Sequence, residues 1–221
     1  MIRVARNKNP EITINRILDT SMDLFLKKGY DNTTIQDIVD ELGDLSKGAI
    51  YHHFKSKEEI MESVIPRIYR GSDEYYSQLE EITYKNGLDK LKKTLIISLK
   101  NPATEKLIKA APNLMKNSRI LTQQLCDVIG TIVPNIIEPI IREGMNDGSI
   151  KTNNPKEIAE SFLILMNVWL NPSIFFVSKE DFRKKFEFLK EVLIGLGMPV
   201  LDYEILDVME TYRSIIENSE K

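Results

Sequence analysis

The chain has only two histidines, and they are neighbours: His52 and His53, inside LSKGAIYHHFKSKEEI at residues 45–60. Three lysines, a tyrosine and a glycine share the stretch. Paired imidazoles could be half a metal site, an acid–base pair, or a contact for another molecule's polar groups. Consecutive helical residues diverge by about 100°, so two adjacent histidines do not share one face or one ion. The single cysteine, Cys126, rules out a thiolate zinc set and an internal disulfide. Acid–base chemistry would need a nucleophile or an orienting acid beside the imidazoles, and the stretch offers lysines and a tyrosine instead. Recognition remains. Ammonium, hydroxyl and imidazole groups around a glycine that allows close approach suit a polyanion such as DNA.

These residues need helices to hold them. Ile14, Ile17, Leu18, Ser21, Met22 and Phe25 fall on one face of a first helix that ends at Lys28-Gly29. Ile35, Ile38, Val39 and Leu42 form the stripe of a short second helix, opened by the cap residues of DNTT and closed by Gly43. Ser46 can cap a third helix whose buried pair is Ile50 and Phe54, leaving Lys47, Gly48, Tyr51 and His52 outside. His53 reads either as a contact or as half-buried against the first helix. Two short helices joined by a tight turn and backed by a third make a helix-turn-helix. Ser56 then caps a fourth helix, which Pro66 should bend or end.

Beyond residue 60 the helical period continues. Leu88, Leu91, Leu95 and Leu99 mark a fifth helix closed by Asn101-Pro102. Residues 118–143 are apolar nearly all round, which predicts a central, buried helix kinked at Pro134 and Pro139. NDGS is a turn, Asn154-Pro155 opens another helix, and later helices should cover about 155–169, 179–196 and 203–217. Cys126, between Leu125 and Val128, reads as a small core residue.

The totals exclude some classes. Residues 1–57 hold nine Lys/Arg against eight Asp/Glu, and the remainder 21 against 25, for a net charge of −3. Such a chain does not coat nucleic acid with its whole surface. The N-terminal MIRVARNKNPEI lacks an apolar core for a secretory signal. The most apolar stretch, FLILMNVWLNPSIFFV, is broken by Asn167 and by Asn171-Pro172, which does not suit a membrane span. The expected location is the cytoplasm.

Residues 11–60 resemble the DNA-binding domain of the TetR family of transcriptional regulators. The resemblance lies in Leu24-Phe25, Lys28-Gly29-Tyr30, Thr33-Thr34-Ile35, Asp37-Ile38 and Leu42-Gly43. It continues through Leu45 to Phe54 and into Ser56-Lys57-Glu58-Glu59. Asp44 departs from it as an extra, charged residue in the turn. The resemblance implies a third helix in the major groove, with Lys47, Gly48 and Ala49 nearest the bases beside Ser46 and His52. It also implies phosphate contacts from Thr34, Tyr51, His53 and Lys57, and a base or phosphate contact from Gln36. Arg3, Arg6 and Lys8 would add a basic arm.

REGMNDGSIKTNNPKEIAESF resembles the family stretch that introduces the dimerisation helix. The expected architecture is all-α: a helix-turn-helix domain over 1–57, then a larger helical effector-binding and dimerisation domain over 58–221. Met115, Phe162, Met166, Trp169, Phe175 and Phe176 are candidates for lining an effector pocket, although such residues are more often plain core. The expected function is a homodimeric repressor that binds a palindromic double-stranded DNA operator. A small apolar or aromatic effector would release it, and no cofactor, metal or membrane would be involved. Two alternatives stay open: a regulator whose C-terminal domain binds a protein partner, and a helical enzyme using the C-terminal pocket.

Overall fold

A computed structural model describes residues 10–70, 77, 79 and 81–219, and every regular element among them is helical. The first four helices start and stop where short polar side chains and glycines allow. Helix α1 (Pro10–Lys28) ends at Gly29, whose φ of 79° is a left-handed conformation that favours glycine. Helix α2 (Ile35–Leu42) opens on a capping box between Thr34 and Asp37 and closes on Gly43, φ 73°. Helix α3 (Lys47–His53) is capped by Ser46, whose Oγ accepts from Ala49 N at 3.2 Å. Ser56 does the same for α4 (Lys57–Ile68), accepting from Glu59 N. Pro66 lies in the last turn of α4, which ends two residues later.

Helix α5 spans Gly87–Lys100, and α6 spans Pro102–Ala110. The second of these was missed in the sequence, where Asn101-Pro102 reads only as a stop. In fact Asn101 ends one helix and caps the next, its Oδ1 accepting from Ala103 N at 2.9 Å. After a short turn come α7 (Ser118–Asp127), a π-helical stretch (Val128–Ile137) and α8 (Glu138–Asn146), continuous as one rod. Pro134, which has no N–H to donate, sits inside the wider winding. Helix α9 (Pro155–Ile164) runs on as π-helix to Trp169, followed by α10 (Lys179–Gly195) and α11 (Tyr203–Ser219).

The composition of the rod predicts burial all round, but the structure covers it on one side only. Val128, Val133, Ile137, Ile140 and Ile141 face the core, while Ile129 and Ile136 are 50% and 41% exposed. Cys126 is exposed too, not a core residue. An apolar periphery tells that a helix wants cover, but one chain has only enough neighbouring helices to cover part of it. Ile120–Asn146 is also long and apolar enough to cross a membrane.

Two cores organise the packing. The larger joins α5, the rod, α9, α10 and α11 around Leu91, Ile141, Phe162, Phe182, Phe186 and Ile205. The smaller joins α1–α4 around Ile17, Phe25, Ile38, Ile50 and Ile60, and it also takes in Leu107 and Ala110 of α6 with Leu114 and Ile120. By packing, α4 belongs with the first three helices. Within this smaller core the backbone of α6 is tied to the turn after α1, where Tyr30 N donates to Ala110 O at 2.7 Å. At the crossing of α5 and α8 two glycines meet, and a Cβ on Gly87 would fall 2.2 Å from Gly144 N. The NDGS turn has a use there: Asp147 and Ser149 accept the Gly87 and Leu88 amides at the start of α5.

Candidate nucleic-acid interface

Only one side of α3 is held by the protein. Ile50 is fully buried and Phe54, just past its end, is 6% exposed, so these two fix the helix's rotation. Ser46, Lys47, Gly48, Tyr51 and His52 lie on the exposed side, with Ala49 and His53 half-buried at its edge. The imidazoles of His52 and His53 meet edge to face, centroids 5.2 Å apart, and no metal cluster is present among the described residues. Gly48 has ordinary helical backbone, and a Cβ there would meet nothing closer than Ser46 Oγ at 3.8 Å.

The start of α2 is tightly organised. The Thr34 hydroxyl donates to Asp37 Oδ2 at 2.7 Å and accepts from Asp37 N at 3.1 Å, while Thr34 N donates to the same carboxylate at 2.6 Å. Lys28 Nζ stands 2.9 Å from the other Asp37 oxygen. These donors hold the Asp37 carboxyl well below the usual aspartate range. The Thr34 hydroxyl proton is therefore committed within the chain. Gln36 is exposed, and its amide donates to Asp40 Oδ1 at 2.8 Å.

Lys57, expected as a phosphate contact, has its ammonium engaged internally. It donates to Tyr30 O at 2.7 Å and Thr33 O at 2.9 Å, and lies 4.0 Å from the centre of the Tyr30 ring. Partial burial lowers its pKa. At the other end of α4, the Arg67 guanidinium bonds Asp19 and Asn15 of α1. Lys57 and Arg67 thus fasten both ends of α4 to the helix-turn-helix. The sequence carries no signal for these contacts, because the partners lie 24 to 52 positions apart. Arg3, Arg6 and Lys8 lie outside the described residues.

The six candidate pocket residues have three different surroundings. Phe162 and Met166 are packed in the larger core, 1% and 7% exposed. Trp169 and Phe175 flank Lys185, whose Nζ sits 4.7 and 4.8 Å from their ring centres and donates to Trp169 O. Met115 is 63% exposed, with Leu114 taking the inward place beside it, and Phe176 is 42% exposed with its ring centre 5.6 Å from the Arg213 guanidinium. One cleft lies between α1 and α2, lined by Asp23, Lys27 and Glu41. A second lies where Tyr30, Glu58 and Met61 meet Lys116–Ser118, and neither cleft touches any of the six.

A helix-turn-helix backed by a fourth helix, with a short capped helix presenting lysine, glycine, tyrosine and histidine, defines a DNA-binding regulator. The family model described as bacterial regulatory proteins, tetR family, matches residues 17–64, and the chain belongs to the TetR family. It is a DNA-binding transcriptional regulator and not an enzyme. The HTH-type transcriptional repressor KstR2 of Rhodococcus jostii is 30% identical over 157 residues, covering 66% of this chain and 72% of that protein. The HTH-type transcriptional regulator YerO of Bacillus subtilis is 59% identical over 46 residues, but these are 21% of this chain and 16% of YerO. In fold, the chain is similar to a transcriptional regulator from Saccharomonospora viridis solved in complex with choline. That likeness has a TM-score of 0.60 and 21% identity, and covers 83% of this chain and 96% of the other.

Proposed function

We propose that the chain is a homodimeric repressor acting in the cytoplasm, with α1–α4 as its DNA-binding unit and the remaining helices as its regulatory domain. The exposed face of α3 carries this reading. Lys47, Tyr51 and His52 surround Gly48, a glycine that neither backbone conformation nor packing within the chain requires. In this reading α3 lies in the major groove. Backbone amides at the start of α2 hold a phosphate with Gln36 beside them, Ser46 caps α3 at the groove, and Lys57 positions the α1–α2 turn. The name of KstR2 supports repression.

The dimer would form through α9 and α10, where Ile164, Phe188, Ile194 and Leu196 are 40–59% exposed. A two-fold dimer presents two recognition helices to an inverted repeat whose half-sites are about one helical turn apart. An apolar or aromatic effector would enter the regulatory domain beside Phe162 and Met166 of the larger core and lower operator affinity. Selection from random duplexes tests the central reading. The expected result is an inverted repeat whose binding weakens steeply with salt, and asymmetric sites or no enrichment would overturn it. A second reading, a protein partner for the regulatory domain, draws on the outward Ile129 and Ile136 of the rod. Protection of those residues from hydrogen exchange in the dimer alone would remove it.

A further inference from the structure

Helix α3 is seven residues long, and Ile50 is the one residue within it that is buried. A helix held so lightly needs other restraints to keep a fixed tilt. Its leading end is joined to α2 by Gly43–Ser46, a turn that contains Asp44. Asp44 does not simply project into solvent. Its two carboxylate oxygens accept from the Arg16 guanidinium of α1, Oδ1 from Nη2 at 2.7 Å and Oδ2 from Nη1 at 2.9 Å. A two-pronged bond of this kind fixes the plane of both groups as well as their distance. Gly43 N also bonds back to Val39 O, so the turn is tied to α2 on one side and to α1 on the other.

We infer that Arg16 and Asp44 are positioning residues that set the tilt of α3 and so determine how well it reads base edges. The inference rests on α3 being the helix that enters the groove. Charge alone makes a different prediction. A carboxylate near DNA repels phosphates and a guanidinium attracts them, so removing Asp44 would tighten binding to any duplex and removing Arg16 would loosen it. As positioning residues they act in the same direction: losing either one frees the turn, and operator binding weakens in both cases.

The experiment measures full-length chain on the selected operator and on a scrambled duplex, using Asp44→Ala, Arg16→Ala and the swap Arg16→Asp with Asp44→Arg. Lys47→Ala serves as a control for α3 itself. An exposed ion pair is worth up to about fivefold per recognition helix, or about 25-fold for a dimer that uses two. Operator affinity is expected to fall by that order in both single variants, with the scrambled duplex little weakened by Asp44→Ala and operator binding recovered in the swap. Melting temperatures close to that of the parent would show that the fold is intact. If Asp44→Ala binds the operator as tightly as the parent or more tightly, while Lys47→Ala binds it more weakly, the positioning role is overturned and α3 keeps its place in the groove. If Lys47→Ala leaves operator binding unchanged, the placement of α3 fails and this inference fails with it.

Discussion

Glycine is an expensive choice in a helix, costing about 0.5–1 kcal/mol relative to alanine. Gly48 bears that cost without a need inside the chain, since neither its backbone conformation nor a neighbouring atom excludes a Cβ. Its use must lie in what approaches α3 from outside. Gly48→Ala should therefore raise the melting temperature slightly while weakening operator binding at least tenfold, as calorimetry and a gel-shift titration can check. Equal affinity would show that no DNA surface comes close at this position. The exposed character of Lys47, Tyr51 and His52 was legible from the Ile50–Phe54 spacing alone. The internal use of Lys57 was not, because the carbonyls it holds belong to Tyr30 and Thr33, far back in the chain.

At the scale of the elements, caps and breakers were the legible part. Thr34, Ser46 and Ser56 begin their helices as their side chains suggest, and Gly29 and Gly43 end theirs. Asn101-Pro102 misled because one dipeptide can both stop a helix and start another. The rod from Ser118 to Asn146 misled because composition measures how much cover a helix needs, not which molecule provides it. The capping box of α2 has a measurable acid signature. Asp37 titrates below its ordinary value in the folded chain, so its stabilising effect is complete above about pH 4 and is lost as pH falls through the depressed value. Asp37→Asn should accordingly be less stable than the parent at pH 7, and the gap should close in acid. Chemical denaturation of both proteins from pH 7 down to pH 2 checks this, and a constant gap would show that the carboxylate's charge has no part in the cap.

For the whole molecule, the outward Ile164 and Phe188 predict association. In the proposed dimer Phe188→Glu would place a charge in an apolar contact, and it should then shift the chain from dimer to monomer in sedimentation. It should also abolish binding to an inverted repeat while leaving helix content intact. A monomer that still binds the full operator with parental affinity would separate DNA binding from dimerisation. The stripe on α11 plays a different part. Ile205, Met209, Tyr212 and Ile216 are buried within their own chain, where α11 packs against α5 and α6.

The smaller core also bears on how the protein melts. Leu107, Ala110, Leu114 and Ile120 come from the part of the chain after α5 but pack among the residues of α1–α4. Neither half can lose its structure without stripping apolar cover from the other, so heating should disorder both in one cooperative step. The chain carries its own reporters for this. Trp169 is its one tryptophan and packs against the larger core, while His52 and His53 are its only histidines and lie on α3. Tryptophan fluorescence and the proton resonances of the imidazoles should lose their native values at the same temperature. Two separate transitions would mean that the helix-turn-helix can unfold while the helices of the larger core remain intact.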